Sequence, residues 1–229
     1  MAERHWKIRK PKWLGEVIIQ SLAIIFSILL ALWADQWKES RKSRELAIVS
    51  LGNFLTEIQQ NERRIDDDLP YHKGLRTMLA QLDSSHSIHT PAEFQDAVGV
   101  DGMRAPALLE TAWLTAVATG VLTKLDYETV AALSLTYTLQ DRFREDSRTG
   151  LQSVIAASNF TAGSAEPAVE TAKNYMGEVV SSEDELRATY AQAEQVVRKK
   201  LDSMEPPSVA RAAADSAADS TAAPKKKGT

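Results

Sequence analysis

The residue types able to do chemistry are sparse in this chain and stand apart from one another. Asp66, Asp67 and Asp68 form one acidic run, His86 and His89 lie three apart, and Glu110, Asp126 and Glu128 are scattered carboxylates. A run of like charges ordinarily stays in water, so the three aspartates make a weak metal site. Two histidines in a polar segment fall short of the three or four ligands that hold a transition metal. Glu110, Asp126 and Glu128 form no compact acid–base set, and carboxylates on helices more often pair with Lys or Arg. The chain has no cysteine, which excludes disulfides, thiol catalysis and thiolate metal sites. The expectation is therefore no enzyme: no catalytic residue, no metal, no cofactor and no evident small-molecule substrate.

The stretch that orders the rest is Trp13 to Trp37, WLGEVIIQSLAIIFSILLALWADQW. Between Val17 and Ala34 it holds 18 residues without a charge, 11 of them Val, Ile, Leu or Phe. As a helix this core spans roughly 27 Å, close to the hydrocarbon thickness of a bilayer. Insertion of those apolar side chains is favourable by about 5 kcal/mol in sum. Trp13, Trp33 and Trp37 stand where interfacial aromatic belts belong. The stretch predicts one transmembrane helix. A cleaved signal peptide would have a shorter apolar region and small residues before the cut, where this chain has Leu32 and Trp33. A core helix of a water-soluble domain rarely needs so long an uncharged run.

Glu16, Gln20, Ala23, Ser27, Ala31 and Ala34 recur at three- and four-residue steps and line one face of that helix. Small side chains let helices approach closely in lipid, and Gln can hydrogen-bond across the contact, so this stripe is the expected partner-helix contact. Arg4, Lys7, Arg9, Lys10 and Lys12 precede the span, and Lys38, Arg41, Lys42 and Arg44 follow it. A short tail with five cations is hard to translocate, which favours the N-terminus inside and the domain outside. The net charge of −4 argues against a nucleic-acid binder.

Beyond the span the pattern is helical throughout. Leu51, Leu55, Ile58, Ile65 and Leu69 recur at helical spacing and predict a long amphipathic stalk that ends at the acidic run before Pro70. A second helix is expected from Pro70, with Leu75 and Leu79 on its apolar face. Thr90-Pro91-Ala92-Glu93 has the form of a capping box opening a short helix to about Val98. Pro106 to Thr119 reads as a helix stopped by Gly120, with Trp113 in the core. Asp126 caps a long helix from Tyr127 to about Ser158, with a bend at Gly150. A last helix runs from Ala168 to about Met204, with a break expected near Ser181–Ser182, where Ser182 with Glu185 makes a second capping box. After Pro206-Pro207 the composition predicts disorder. The expected fold class is all-α: an N-terminal transmembrane helix continuing into the stalk, plus an antiparallel helical-bundle domain. Its parts are a basic tail 1–12, the span 13–37, the stalk 38–69, the bundle 70–204 and a disordered tail 205–229.

Leu14-Gly15-Glu16, the close of the span in Ala34-Asp35-Gln36-Trp37, Thr111-Ala112-Trp113 and Gly120-Val121-Leu122 resemble a family of uncharacterised bacterial single-span membrane proteins. That resemblance covers residues 13 to about 140. It implies a membrane-anchored helical domain and supplies no catalytic residue. The expected role is a structural or accessory subunit. Its partners would be the lipid bilayer and either other membrane-protein helices, within a respiratory, transport or photosynthetic complex, or further copies of itself. A single-span sensor is the alternative.

Overall fold

The computed structural model describes residues 13–85, 88–160 and 164–204. These residues form five α-helices and no strand: α1 Trp13–Ser85, α2 Pro91–Val98, α3 Thr111–Thr119, α4 Tyr127–Phe160 and α5 Glu166–Met204. Short 3-10 turns at Val100–Met103 and Val121–Lys124 flank α3. The chain divides into two compact units between Glu45 and Leu46. The first contributes only the early turns of α1 to the described structure. The second holds a hydrophobic core drawn from every α-helix. The basic tail 1–12 and the tail 205–229 lie outside the described residues.

In the second unit, α1 passes through Pro70 without ending there, which overturns the expected stop at the acidic run and the new helix at Pro70. The reason lies in the burial pattern. Ile58, Asn61, Ile65, Leu69, His72, Leu75 and Leu79 are buried at unbroken three- and four-residue steps, while Pro70 itself is exposed. An interior proline costs roughly 3 kcal/mol. Each fully buried Leu or Ile contributes about 1.5–3 kcal/mol, so the stripe on both sides of Pro70 outweighs it.

Contacts along the long helices fix their directions. Gln59 meets Glu194, Asp66 meets Arg187 and Lys73 meets Asp184, so α5 runs antiparallel to α1. Asp126 meets Lys200 and Gln140 meets Tyr190, so α5 is antiparallel to α4 as well. Glu57 meets Tyr137 and Asn61 meets Gln140, so α1 and α4 run the same way. Two neighbours pointing in one direction need a return path, and the segment carrying α2, α3 and the 3-10 turns supplies it.

Three of the caps read from sequence are present, while the capping box expected of Ser182 with Glu185 is not, because both lie inside α5. Thr90 Oγ1 accepts from Glu93 N–H at 3.3 Å, and Glu93 Oε2 accepts from Thr90 N–H at 3.2 Å, completing the capping box. Gly120 ends α3 in the left-handed region at φ 68°, where a side chain would be strained. Asp126 Oδ1 accepts from Thr129 N–H at 3.0 Å at the start of α4.

Two boundaries differ from expectation. Residues 104–110 are not helical, and α3 begins at Thr111 instead of Pro106. Helix α5 runs through Ser181–Ser182 without a break. Gly150 is a point of close approach within α4: a Cβ there would lie 2.3 Å from Tyr175 Cδ2 on α5.

Candidate functional site

The expected span and its stripe lie in the first unit. Every described side chain from Ile19 to Lys42 is exposed, including Phe26 at 66% and Trp33 at 64%. Gln20, Ala23, Ser27, Ala31 and Ala34 are all exposed on α1. The Ser27 hydroxyl donates to the Ala23 carbonyl at 2.8 Å, so its polarity is satisfied within its own helix. Trp37 is half exposed, with the Arg41 guanidinium 4.6 Å from its ring centroid in a cation–π contact. The side chains of Trp13 and Glu16 lie outside the described residues.

The second unit buries two polar clusters that sequence reading did not single out. The larger joins α1, α4, α5 and the non-helical segment before α3. Glu57 accepts the Tyr137 hydroxyl at 2.7 Å with one oxygen and the Ala112 N–H at 2.8 Å with the other. Asn61 Oδ1 accepts the Leu109 N–H at 2.7 Å, and its Nδ2 donates to the Leu109 carbonyl at 2.8 Å and to Gln140 Oε1 at 3.1 Å. Gln140 Nε2 donates to the same carbonyl at 2.8 Å, and Tyr190 donates to Gln140 Oε1 at 2.7 Å. Side chains thus bond the Leu109 N–H and carbonyl in the non-helical segment that precedes α3. Arg64 adds a bond to the Ala107 carbonyl. Trp113 is half buried and stacks on Tyr137 at 5.2 Å, as a core aromatic.

The groups of this cluster are directed at one another and at the backbone. Burial, then the hydrogen bond to Glu57, pushes the Tyr137 phenol far above its ordinary range. Burial does the same to Tyr190. Neither phenol is suited to give up a proton near neutral pH. The arrangement positions a chain segment.

The smaller cluster sits further along α1. His72 and Glu183 are both buried, and His72 Nδ1 lies 2.8 Å from Glu183 Oε1. His72 also bonds the backbone of Arg104, and the Tyr175 hydroxyl donates to the neighbouring Met103 carbonyl at 2.9 Å. Burial alone would lower the His72 pKa. The hydrogen bond and charge of Glu183, with Asp68 and the Arg104 backbone, outweigh it and raise the pKa. Burial lifts the Tyr175 phenol to about 12. Glu183 Oε2 has no hydrogen-bond partner among the described residues.

Four of the carboxylates weighed from sequence meet a cation. Glu110 pairs with Arg144 at 3.0 Å, and Glu128 lies 4.0 Å from Lys199. Asp126 pairs with Lys200 at 2.8 Å, a bond that with the Thr129 N–H holds its carboxyl well below the usual range. Asp66 of the acidic run meets Arg187 at 2.8 Å. Among the described residues no group of three or more His, Asp or Glu side chains is placed to hold a metal ion. His86 lies outside the described residues, so the His86/His89 pair is not placed.

A signal for both clusters exists in the sequence. Asn61 and His72 occupy the apolar register of α1, between Ile58 and Ile65 and between Leu69 and Leu75. Gln140 and Glu183 interrupt the apolar registers of α4 and α5 in the same way. A polar residue on a buried register needs a partner, and several such residues on different helices imply that they meet. No family model, no curated protein and no solved structure matches this chain.

Proposed function

We propose that this chain is a single-span membrane protein whose antiparallel helical bundle serves as a structural or accessory module. It would dock on a larger integral-membrane complex or on further copies of itself. One observation carries the membrane reading: α1 holds an 18-residue apolar window of which no part is buried. A core helix of a water-soluble domain hides such residues, whereas Leu22, Ile25, Phe26 and Leu29 are all more than half exposed. In water that exposure is unfavourable by about 25 cal/mol for each Å² of apolar surface, and a bilayer removes it. The accessory role draws on the small-residue stripe and on the self-contained polar clusters, which bind the unit together.

Carbonate extraction of membranes containing the full chain, with the intact mass of the retained protein, tests the span. Retention at full length is the expected result; a shortened chain released to the supernatant would mean a cleaved leader. For docking, Ser27→Leu or Ala31→Leu is expected to weaken co-purification with the partner after gentle detergent extraction. Wild-type recovery by both variants would remove the stripe from the contact.

A second reading, a single-span sensor with an extracytoplasmic helical domain, draws on α1 itself, which is one helix from Trp13 to Ser85. Deleting residues 1–10 without any phenotype would argue against it.

A further inference from the structure

On α4, Phe143, Ser147 and Leu151 recur at four-residue steps, with Arg144 and Arg148 beside them at the same spacing, so all five share one side of the helix. The non-helical segment from Arg104 to Leu108 lies against that side, and the two border a cleft of about 350 Å³ that Tyr175 of α5 also lines. The segment is fixed at both ends. The Met103 carbonyl accepts the Tyr175 hydroxyl, and Asn61 and Gln140 hold the Leu109 peptide. A cleft with walls set in this way needs little ordering when a ligand enters.

The lining divides by chemistry. Pro106, Leu108, Phe143 and Leu151 are apolar, while its charged residues are Arg104, Arg144 and Arg148, with no carboxylate among them. The carboxylates that meet two of these arginines stand outside the lining: Asp141 and Glu110 bond Arg144, and Glu145 bonds Arg148. Asp141 and Glu145 are both 63% exposed, and ion pairs open to water hold weakly. Arg148 meets Glu145 through Nη2 only, so its Nε and Nη1 bond nothing among the described residues. Ser147 gives an independent sign of a ligand. It is only 7% exposed and lines the cleft, yet its hydroxyl has no hydrogen-bond partner among the described residues. A buried hydroxyl ordinarily has one. Phe143, Ser147 and Tyr175 also line a second cleft, of about 410 Å³, where Asp146, Glu178 and Glu185 face Arg142 as the one cation. That negative balance repels a second anionic group on the ligand.

We propose that the cleft between segment 104–108 and α4 binds a small amphipathic monoanion, a carboxylate on a short apolar chain. Arg148, Arg144 and the Ser147 hydroxyl donate to the carboxylate, whose two oxygens match the planar guanidinium fork. The apolar chain lies against Pro106, Leu108, Phe143 and Leu151. The volume falls at the low end of small-molecule sites, which run from about 300 to 1,000 Å³, and is too small for a two-chain lipid. The site belongs to the second unit alone and does not rest on the single-span reading.

Equilibrium dialysis of the full chain in mild detergent against radiolabelled octanoate near neutral pH reads the binding, with protein-free detergent subtracted. One saturable site per chain is the expected result. Octanol, which lacks the charge, and acetate, which lacks the chain, should each compete at least about tenfold more weakly than octanoate. Arg148→Gln is expected to weaken octanoate binding about tenfold or more, and Ser147→Ala about three- to tenfold. Arg198→Gln makes the same change of charge on α5, outside the cleft, and should bind as wild type does. Near-ultraviolet circular dichroism checks that each variant is folded. Retention no greater than that of protein-free detergent overturns the proposal. So does octanol competing as well as octanoate, or Arg198→Gln weakening binding as much as Arg148→Gln. Inorganic phosphate competing as well as unlabelled octanoate would overturn the amphipathic ligand and leave a plain anion site.

Discussion

His72 and Glu183 show how much can turn on one pair. His72→Ala would leave the Glu183 carboxylate buried with neither oxygen paired, a change expected to destabilise by about 3–5 kcal/mol. Thermal or urea unfolding of the variant measures it. The pH dependence has a definite sign. The folded state raises the His72 pKa above the ordinary 6.5, so the pair's contribution is complete below about 6.5 and is lost as pH rises through the raised value. The stability gap between wild type and His72→Ala should therefore narrow from pH 6 to pH 9; a gap that widens would contradict the assignment. Asn61 acts on the backbone instead. Asn61→Ala removes the acceptor of the Leu109 N–H and one of the two donors to the Leu109 carbonyl, Gln140 keeping the other, with an expected loss of about 1–3 kcal/mol and faster exchange of the Leu109 amide.

Among the elements, the glycines separate packing from helix propensity. The ring of Tyr175, only 3% exposed, occupies the space a side chain at Gly150 would need. Gly150→Ala should force α4 and α5 apart and destabilise by about 1–3 kcal/mol. Gly74 lies inside α1 with nothing within 4 Å of the place a Cβ would take, so Gly74→Ala should stabilise by roughly 0.5–1 kcal/mol. Opposite shifts in melting temperature for the two variants are the check. The capping box at Thr90 and the stop at Gly120 were legible because each depends on residues within one turn of each other. The run of α1 through Pro70 was not. Local rules favour a boundary there, and only the surrounding core, on helices far away in sequence, keeps Leu69, His72 and Leu75 in one register.

For the whole molecule, the proposed single span and the division at Glu45 and Leu46 together predict that membrane retention and domain stability are separable. Ile25 and Leu29 are 53% and 58% exposed and belong to the first unit. Ile25→Arg with Leu29→Arg would raise the free energy of insertion by about 5–7 kcal/mol, to which the loss of the two apolar side chains adds. Membrane retention should fall sharply. The unfolding of the helical unit, followed by near-ultraviolet circular dichroism, should stay as in wild type.

By itself, the sequence determined helix content, the site of the long apolar stretch and most caps. These follow from periodicity and from residue pairs three or four apart, which the chain encodes locally. Only the tertiary structure decided that α1 and α4 run the same way, that segment 104–110 gives its backbone bonds to Asn61 and Gln140, and that His72 meets Glu183. Each of these joins residues from 31 to 111 positions apart. Burial across such distances depends on which faces find each other, and a polar residue on an apolar register announces that it needs a partner without saying which one.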